Sequence, residues 1–173
     1  DGIFYVFFGD SIVNLQSGVA VVDTSPFDSA GLFAIVGDNG SLTVNGGTNT
    51  SIKTVGNNAA GVQLFTNAGN LTATLDRVST EGTGLGIQSG ASDGNVSITA
   101  NNISTLGTGA TAVEVTTNNG DVAVDVGKVG TACAGATGIR EARDFGNCSL
   151  MAGSVITTGV PNDFFKPGES GIF

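Results

Sequence analysis

Residues 94–105 of the chain read GNVSITANNIST and form a unit that recurs along the sequence. The unit opens with a glycine, continues with alternating apolar and small residues, and ends with a threonine eleven positions after the glycine. The same distance separates a glycine from a threonine in three further segments, at 69–80, 120–131 and 146–157. A fixed internal distance indicates a repeat protein, and the period of the repeat predicts its fold.

Three columns of equivalent residues define the repeat. The first column is a threonine, with spacings of 30, 26, 25, 26 and 26 residues between Thr24, Thr54, Thr80, Thr105, Thr131 and Thr157. The second column is an apolar residue two positions earlier: Val22, Ile52, Val78, Ile103, Val129 and Val155. The third column is a small residue followed by an aliphatic one: Gly2-Ile3, Gly31-Leu32, Gly61-Val62, Gly86-Ile87, Ala112-Val113, Gly138-Ile139 and Gly171-Ile172.

Each repeat predicts three short strands separated by clusters of Gly, Asn and Ser, which are typical of turns. Strands this short bury a face only if each unit stacks on the next, with like strands about 4.8 Å apart around a common apolar interior. About 25–30 residues per coil with three strands is typical of a triangular, all-β parallel β-helix. Six such coils would make a rod about 30 Å long.

The chain is interpreted as a single β-solenoid segment. Its predicted parts are the end of a preceding coil at 1–8 and coils at 9–39, 40–68, 69–93, 94–119, 120–145 and 146–173. The first coil is longer than the later ones, with its extra residues expected around 10–16, and the second has an insertion near 46–50. Because the sequence begins DGIF and ends SGIF, at the same phase of the repeat, we expect a segment of a longer array or a mature fragment.

Composition excludes several classes of protein. Hydrophobic residues make up 40% of the chain, which argues against disorder despite 28 glycines. The net charge of −9 argues against nucleic acid or an anionic membrane as a partner, because neither attracts an acidic surface. No apolar run approaches the length of about 20 residues that a membrane-spanning helix needs, so we expect no membrane insertion by this segment.

Two cysteines, Cys133 and Cys148, are a candidate disulfide of an oxidising compartment. The alternative is that both are small buried side chains, since Cys148 occupies the column of Val96. Cys133 stands where a neighbouring repeat has the turn glycine Gly82, which core packing does not explain. Two cysteines without any histidine argue against a metal site, and no cofactor is expected.

Aromatic residues mark both ends of the sequence. Phe4, Tyr5, Phe7 and Phe8 stand close together in the opening strand, DGIFYVFF, and are candidates for a stacking end. A strand that is apolar at consecutive positions is either covered on both faces or forms an exposed, adhesive edge. This pattern favours a longer parent chain or a head-to-tail neighbour.

Near the other end, the segment GVPNDFFKPGES contains Phe164, Phe165 and Lys166. One interpretation is an exposed contact loop for a partner or a glycan. The other, which we favour because paired aromatic residues are usually buried, is a loop folded onto the wall of the coil.

The sequence lacks the residues of the common hydrolytic sites. Without histidine there is no Ser–His–Asp or Cys–His arrangement, so no catalytic residue is predicted. The acidic residues are scattered and are expected on solvated outer faces: Glu114, Asp121, Asp125, Glu141 and Asp144. A carbohydrate-active enzyme would need carboxylates and basic residues on one face, and the region 140–144 is its one candidate.

Taken together, these residues carry a resemblance. The pattern Val/Ile-x-Thr-x-Gly, Ala/Ser-x-Gly-Ile/Val and Gly-Asn/Asp-Val-x-Ile is similar to the passenger repeats of Gram-negative autotransporters and filamentous haemagglutinin-type exoproteins, most clearly over 69–159. The resemblance implies a right-handed β-helix, export to the bacterial cell surface, and a role in adhesion, biofilm formation or display. It transfers no catalytic residues.

We therefore expect a non-enzymatic, extracellular structural or adhesive rod. Its expected partners are a host or matrix surface, a glycan, or another copy of the chain bound head to tail. One alternative is the subunit of an extracellular filament that assembles end to end. A second alternative is a carbohydrate-active β-helix enzyme.

Overall fold

The computed structural model of the chain describes residues 2–24, 29–132 and 136–157, and every regular element in those ranges is a β-strand. The strands are β1 (Ile3–Phe8), β2 (Ser11–Leu15), β3 (Ala20–Asp23), β4 (Ala30–Gly37), β5 (Leu42–Gly46), β6 (Ser51–Thr54), β7 (Ala60–Thr66), β8 (Leu71–Thr80), β9 (Ile87–Ala91), β10 (Val96–Thr105), β11 (Thr111–Asn119), β12 (Val122–Thr131), β13 (Thr137–Phe145) and β14 (Cys148–Thr157). The predicted all-β fold is confirmed.

The strands form two parallel sheets that wind through about six coils. The six-stranded sheet has the order β1-β4-β7-β9-β11-β13. The eight-stranded sheet has the order β14-β12-β10-β8-β5-β2, with β3 and β6 paired beside that path. Hydrogen-bonded neighbours in each sheet come from successive coils of the chain, which is the arrangement of a parallel β-solenoid and confirms the predicted stacking.

The three-strand prediction holds for the first two coils and changes afterwards. From β8 onward, the strand after the glycine and the strand that ends at the threonine join into one strand of ten residues. In the middle of β8 the alternation of buried and exposed side chains is interrupted at Asp76 and Arg77, neither of which is buried. This change of phase lets both halves of the long strand face the interior.

Extra residues in the first two coils lie at this same bend. Four residues, 16–19 in the first coil and 47–50 in the second, stand where β8 has the single residue Asp76. The two bends contact each other, because Gly18 donates its N–H to the Thr48 carbonyl at 3.0 Å and Gly47 donates to the Leu15 carbonyl at 3.0 Å. The first coil therefore gains its length at 16–19, not around 10–16 as the sequence suggested.

The threonine column is confirmed from Thr54 onward, but its first member was assigned one residue too late. Ala20, Val21, Val22 and Asp23 of β3 pair in order with β6, so that Asp23 lies beside Thr54 and Val21 beside Ile52. Val21 is buried, whereas Val22 is 59% exposed. Because side chains alternate along a strand, an error of one residue exchanges the inward and outward faces.

The apolar interior runs through all of the described coils as stacked columns of aliphatic side chains. One column contains Leu42, Leu71, Val96 and Val122, a second contains Ile52, Val78, Ile103 and Val129, and a third contains Leu32, Val62, Ile87, Val113 and Ile139. These side chains are almost completely buried. Full burial of one such side chain stabilises the fold by about 1.5–3 kcal/mol, so the columns are the main source of stability.

One corner of the solenoid is built from stacked glycines. Its members are Gly9, Gly40, Gly69, Gly94, Gly120 and Gly146. A Cβ atom added to Gly94 would stand 2.2 Å from the carbonyl oxygen of Gly69, and one added to Gly120 would stand 2.2 Å from that of Gly94. Glycine is required here because the backbones of successive coils approach too closely for any side chain.

Asparagine and aspartate side chains extend the inter-coil bonding beside this corner. The backbone N–H of Asn95 donates to Oδ1 of Asn70 at 3.0 Å, and that of Asp121 donates to Oδ1 of Asn95 at 2.8 Å. Asn147 continues the series by donating its N–H to Oδ1 of Asp121 at 2.7 Å. Each side chain thus satisfies a backbone donor of the next coil, which explains why Asn or Asp follows the corner glycine.

The stacked threonines point into the interior. Thr54 donates its hydroxyl to the Ala59 carbonyl at 3.3 Å. The hydroxyls of Thr80, Thr105 and Thr131 are buried and find no hydrogen-bond partner among the described residues. A buried hydroxyl without a partner destabilises a fold by about 1–3 kcal/mol.

Gly94→Ala is expected to lower the free energy of unfolding by about 2 kcal/mol or more, because the new Cβ displaces the stacked backbone of Gly69. Gly130→Ala is the matched control, since its Cβ would come no closer than 3.9 Å to the Ile103 carbonyl oxygen. The control should differ from wild type by less than about 1 kcal/mol. Urea unfolding followed by circular dichroism measures both, and equal effects would contradict the corner contact.

Thr105→Val is expected to raise the free energy of unfolding by about 1 kcal/mol, because it removes an unpartnered buried hydroxyl and keeps the shape of the side chain. Thr54→Val is the control within the same column, and it should give no gain because it removes a hydrogen bond. Thermal and urea unfolding of the two variants test this difference. A destabilised Thr105→Val protein would show that the hydroxyl has a partner.

Candidate functional site

Large exposed apolar side chains are concentrated at the two ends of the described solenoid. Six of them belong to the first coil: Phe4, Tyr5, Val6, Phe8, Ile12 and Val22. Four belong to the last coil: Phe145, Leu150, Met151 and Ile156. Between the ends, Leu106 is the one other such residue of the described chain. The ends are therefore the candidate contact surfaces.

The N-terminal end is formed by β1, an edge strand. Within the described chain β1 pairs with β4 alone, so its other edge presents free backbone donors and acceptors. The predicted stacking residues lie here. Phe4 is 57% exposed and Phe8 is 82% exposed, whereas Tyr5 and Phe7 belong to the alternate set that continues the inward columns. The structure thus brings the four aromatic residues to one open edge.

An aromatic surface, defined as Phe4, Phe33 and Phe65, lies on the outer face of the six-stranded sheet. The rings of Phe4 and Phe33 are stacked with centroids 4.9 Å apart, and those of Phe33 and Phe65 are tilted at 6.2 Å. Phe33 and Phe65 are half-buried in this outer position. The sequence repeats did not indicate this surface, because Phe65 stands in the neighbouring column of the sheet.

A polar column continues in line with Phe4 and Phe33 along the same face. Gln63 donates its amide to Oε1 of Gln88 at 2.8 Å, and Gln88 donates to Oε2 of Glu114 at 3.3 Å. Arg140 ends the column as an ion pair with Glu114 at 3.1 Å. One face of the rod therefore changes from aromatic to hydrogen-bonded polar and then to charged along its length.

The interior of the last coil is charged. In β13, Glu141 continues the inward column of Leu64 and Val115, and Arg143 continues that of Thr117. The two side chains form an ion pair at 3.0 Å and are 12% and 11% exposed. The expectation that Glu141 lies on a solvated outer face is wrong, because strand alternation from Ile139 places it inward. Alternation could have found this pair from the sequence.

Burial controls the protonation of this end. Burial raises the pKa of Glu141 above its ordinary value of 4.5, and the positive charge and hydrogen bond of Arg143 oppose the rise. Burial also raises the pKa of the Cys148 thiol, the negative charge of Glu141 adds to this, and Arg143 opposes it. The apolar columns thus end in a small group of coupled polar side chains: Glu141, Arg143 and Cys148.

The remaining predicted residues are distributed as follows. Cys148 is half-buried and lies in the column of Val96 and Val122, as expected. Cys133 is outside the described residues, so the disulfide stays a prediction. Phe164, Phe165 and Lys166 of the proposed contact loop are also outside them.

The region proposed for carbohydrate chemistry is extended rather than clustered. Arg140 and Asp144 lie four residues apart on β13, which corresponds to about 13 Å along an extended strand. Arg140 pairs with Glu114 instead of Asp144. Within β13 the two residues do not form a joint site.

Comparisons with known proteins give no relative. No family model, no curated protein and no solved structure matches the chain. In the part of the chain that the structure describes, no three His, Cys, Asp or Glu side chains are placed to hold a metal ion. The described residues also contain no helix long and apolar enough to cross a membrane.

Glu141→Gln is expected to change how stability depends on pH. The pKa of Glu141 in the folded chain lies above the unfolded value, so the folded chain binds more protons in the window between them. Its contribution to stability is therefore largest below pH 4.5 and is lost as the pH rises through the folded pKa. Relative to Glu141→Gln, the wild type should lose stability across this window.

Urea midpoints measured between pH 4 and pH 8 test this difference. Asp125→Asn controls for the loss of one negative charge, because Asp125 lies exposed on the outer face of β12. A wild type that gains stability relative to Glu141→Gln as the pH rises would contradict burial as the dominant effect.

Proposed function

We propose that the chain is a non-enzymatic structural and adhesive rod of an extracellular bacterial surface protein. One observation carries this proposal: the coils stack in unbroken register, with corner glycines and Asn or Asp side chains repeated from coil to coil. Such stacking fixes the distance between coils, because each coil contacts its neighbours through backbone. A scaffold of this kind holds surface side chains at regular intervals along its length.

The outer faces support an adhesive role. Between the ends, the exposed positions of β8 and β10 carry small hydroxyl and amide side chains, including Thr72, Thr74 and Thr99. The aromatic surface interrupts this polar covering on one side, and the polar column of Gln63, Gln88 and Glu114 continues from it. Exposed aromatic rings beside hydrogen-bonding groups are a common composition of contact surfaces.

The resemblance of the repeats to autotransporter passengers and haemagglutinin-type exoproteins supports an extracellular location. The fold alone fits several functions, so the location and the adhesive role depend on this resemblance together with the surface chemistry. A host or matrix surface and a glycan are the partners that such a rod would contact.

Attachment of protein-coated beads tests the adhesive role. Beads carrying the chain are expected to attach under flow to at least one surface coated with collagen, mucin or a bacterial polysaccharide. Replacing Phe33 and Phe65 together by serine should reduce attachment by about fivefold or more, since it removes the central rings of the aromatic surface. Thr72→Ser with Thr99→Ser, on the other sheet, is the control and should attach like wild type.

Two results would overturn the proposal. One is attachment no better than that of beads coated with an unrelated protein on all three surfaces. The other is cleavage of the polysaccharide by the purified chain that is lost in Arg140→Ala or Asp144→Ala, because this result would establish a carbohydrate-active enzyme.

A further inference from the structure

We propose that copies of the chain bind each other end to end, with the first coil of one copy stacked on the last coil of the next, so that both sheets continue across the junction. The occupant of each end is thus a second copy of this chain. The inference stands on the chemistry of the two ends and does not depend on the adhesive role.

The first argument is the distribution of exposed apolar side chains. Ten of the eleven large exposed apolar residues of the described chain lie on the first or last coil. The open edge of β1 at one end and that of β13 at the other belong to the same parallel sheet. A parallel neighbour would satisfy the free backbone groups of both edges and remove the apolar side chains from water.

The second argument is that the columns match across such a junction. Ile3 begins the inward column that Ile139 ends, and Val21 begins the one that Val155 ends. On the outer face, exposed Val22 and exposed Ile156 are the first and last members of one column. Stacking one copy on another in the register used within the chain therefore places aliphatic residues on aliphatic residues.

The charged residues of the last coil also find partners in this register. Arg140 ends the column that Phe4 begins, and Arg143 ends the column that Phe7 begins. The junction would place each guanidinium beside an aromatic ring, an arrangement that stabilises by cation–π attraction. Tyr5 begins the column of Glu141, so its hydroxyl would lie within reach of a carboxylate.

Charge decides the polarity of stacking. The sequence has no Lys or Arg before Lys53, and the described first coil carries Asp10, Asp23 and Asp38. The last coil carries Arg140 and Arg143. Two first coils would therefore repel each other, whereas a first coil and a last coil are complementary. A head-to-tail contact of this kind does not close on itself, and repetition produces an open filament.

A charge exchange across the junction tests the proposal. Val6 and Ala142 are the first and last members of one outward column, so they would meet only between copies. Val6→Lys and Ala142→Asp should each raise the dissociation constant for self-association by about tenfold or more, because each leaves a charge against an apolar edge. The double variant should recover wild-type association within about threefold, because the new charges attract each other.

Analytical ultracentrifugation of the full chain over a range of concentrations gives the constants, and negative-stain microscopy shows whether filaments form. Circular dichroism confirms that each variant is folded. Thr99→Lys, on an exposed position of β10 in the middle of the rod, is the control and should associate like wild type.

Four outcomes would overturn the proposal. A wild type that stays monomeric at all concentrations excludes a second copy as the occupant. Loss of association in Val6→Lys alone indicates head-to-head contact, and loss in Ala142→Asp alone indicates tail-to-tail contact. Loss in Thr99→Lys indicates that the rods associate side by side.

Discussion

The close approach of backbone to backbone at the glycine corner is the constraint on which the rest of the structure depends. A carbonyl oxygen of one coil occupies the place where the next coil would carry a Cβ atom, at Gly69, Gly94 and Gly120 alike. This contact fixes both the distance and the lateral position of neighbouring coils. Once they are fixed, the aliphatic columns, the inward threonines and the Asn and Asp side chains fall into line.

Much of the fold could be predicted from the sequence because the repeat is expressed in residue types with clear physical roles. Glycine at a fixed distance from threonine gave the coil, and alternation gave the inward faces of β8, β10 and β12. The assignment failed at Thr24, where Asp23 takes the place of a threonine. In a short strand with few alternating positions, a single unusual residue is enough to shift the phase by one.

The candidate site could be predicted less well. The aromatic residues of β1 stood out because they are consecutive in sequence, whereas the aromatic surface combines residues from three coils that only the register brings together. Glu141 and Arg143 were expected outside because charged residues usually are. Their inward position at the last described coil is a property of the end of a stack, where a charge still reaches water.

The bends at 16–19 and 47–50 show how such a rod accommodates changes in length. Each bend satisfies backbone groups of the other, so the longer loop in one coil is stabilised by an equally long loop in the coil beside it. An insertion confined to a single coil would lack these partners. Loop length is therefore a property shared by adjacent coils, and duplication of a whole coil preserves the match that an isolated insertion would break. Evolution of this architecture by copying complete coils keeps every corner, column and bend in correspondence.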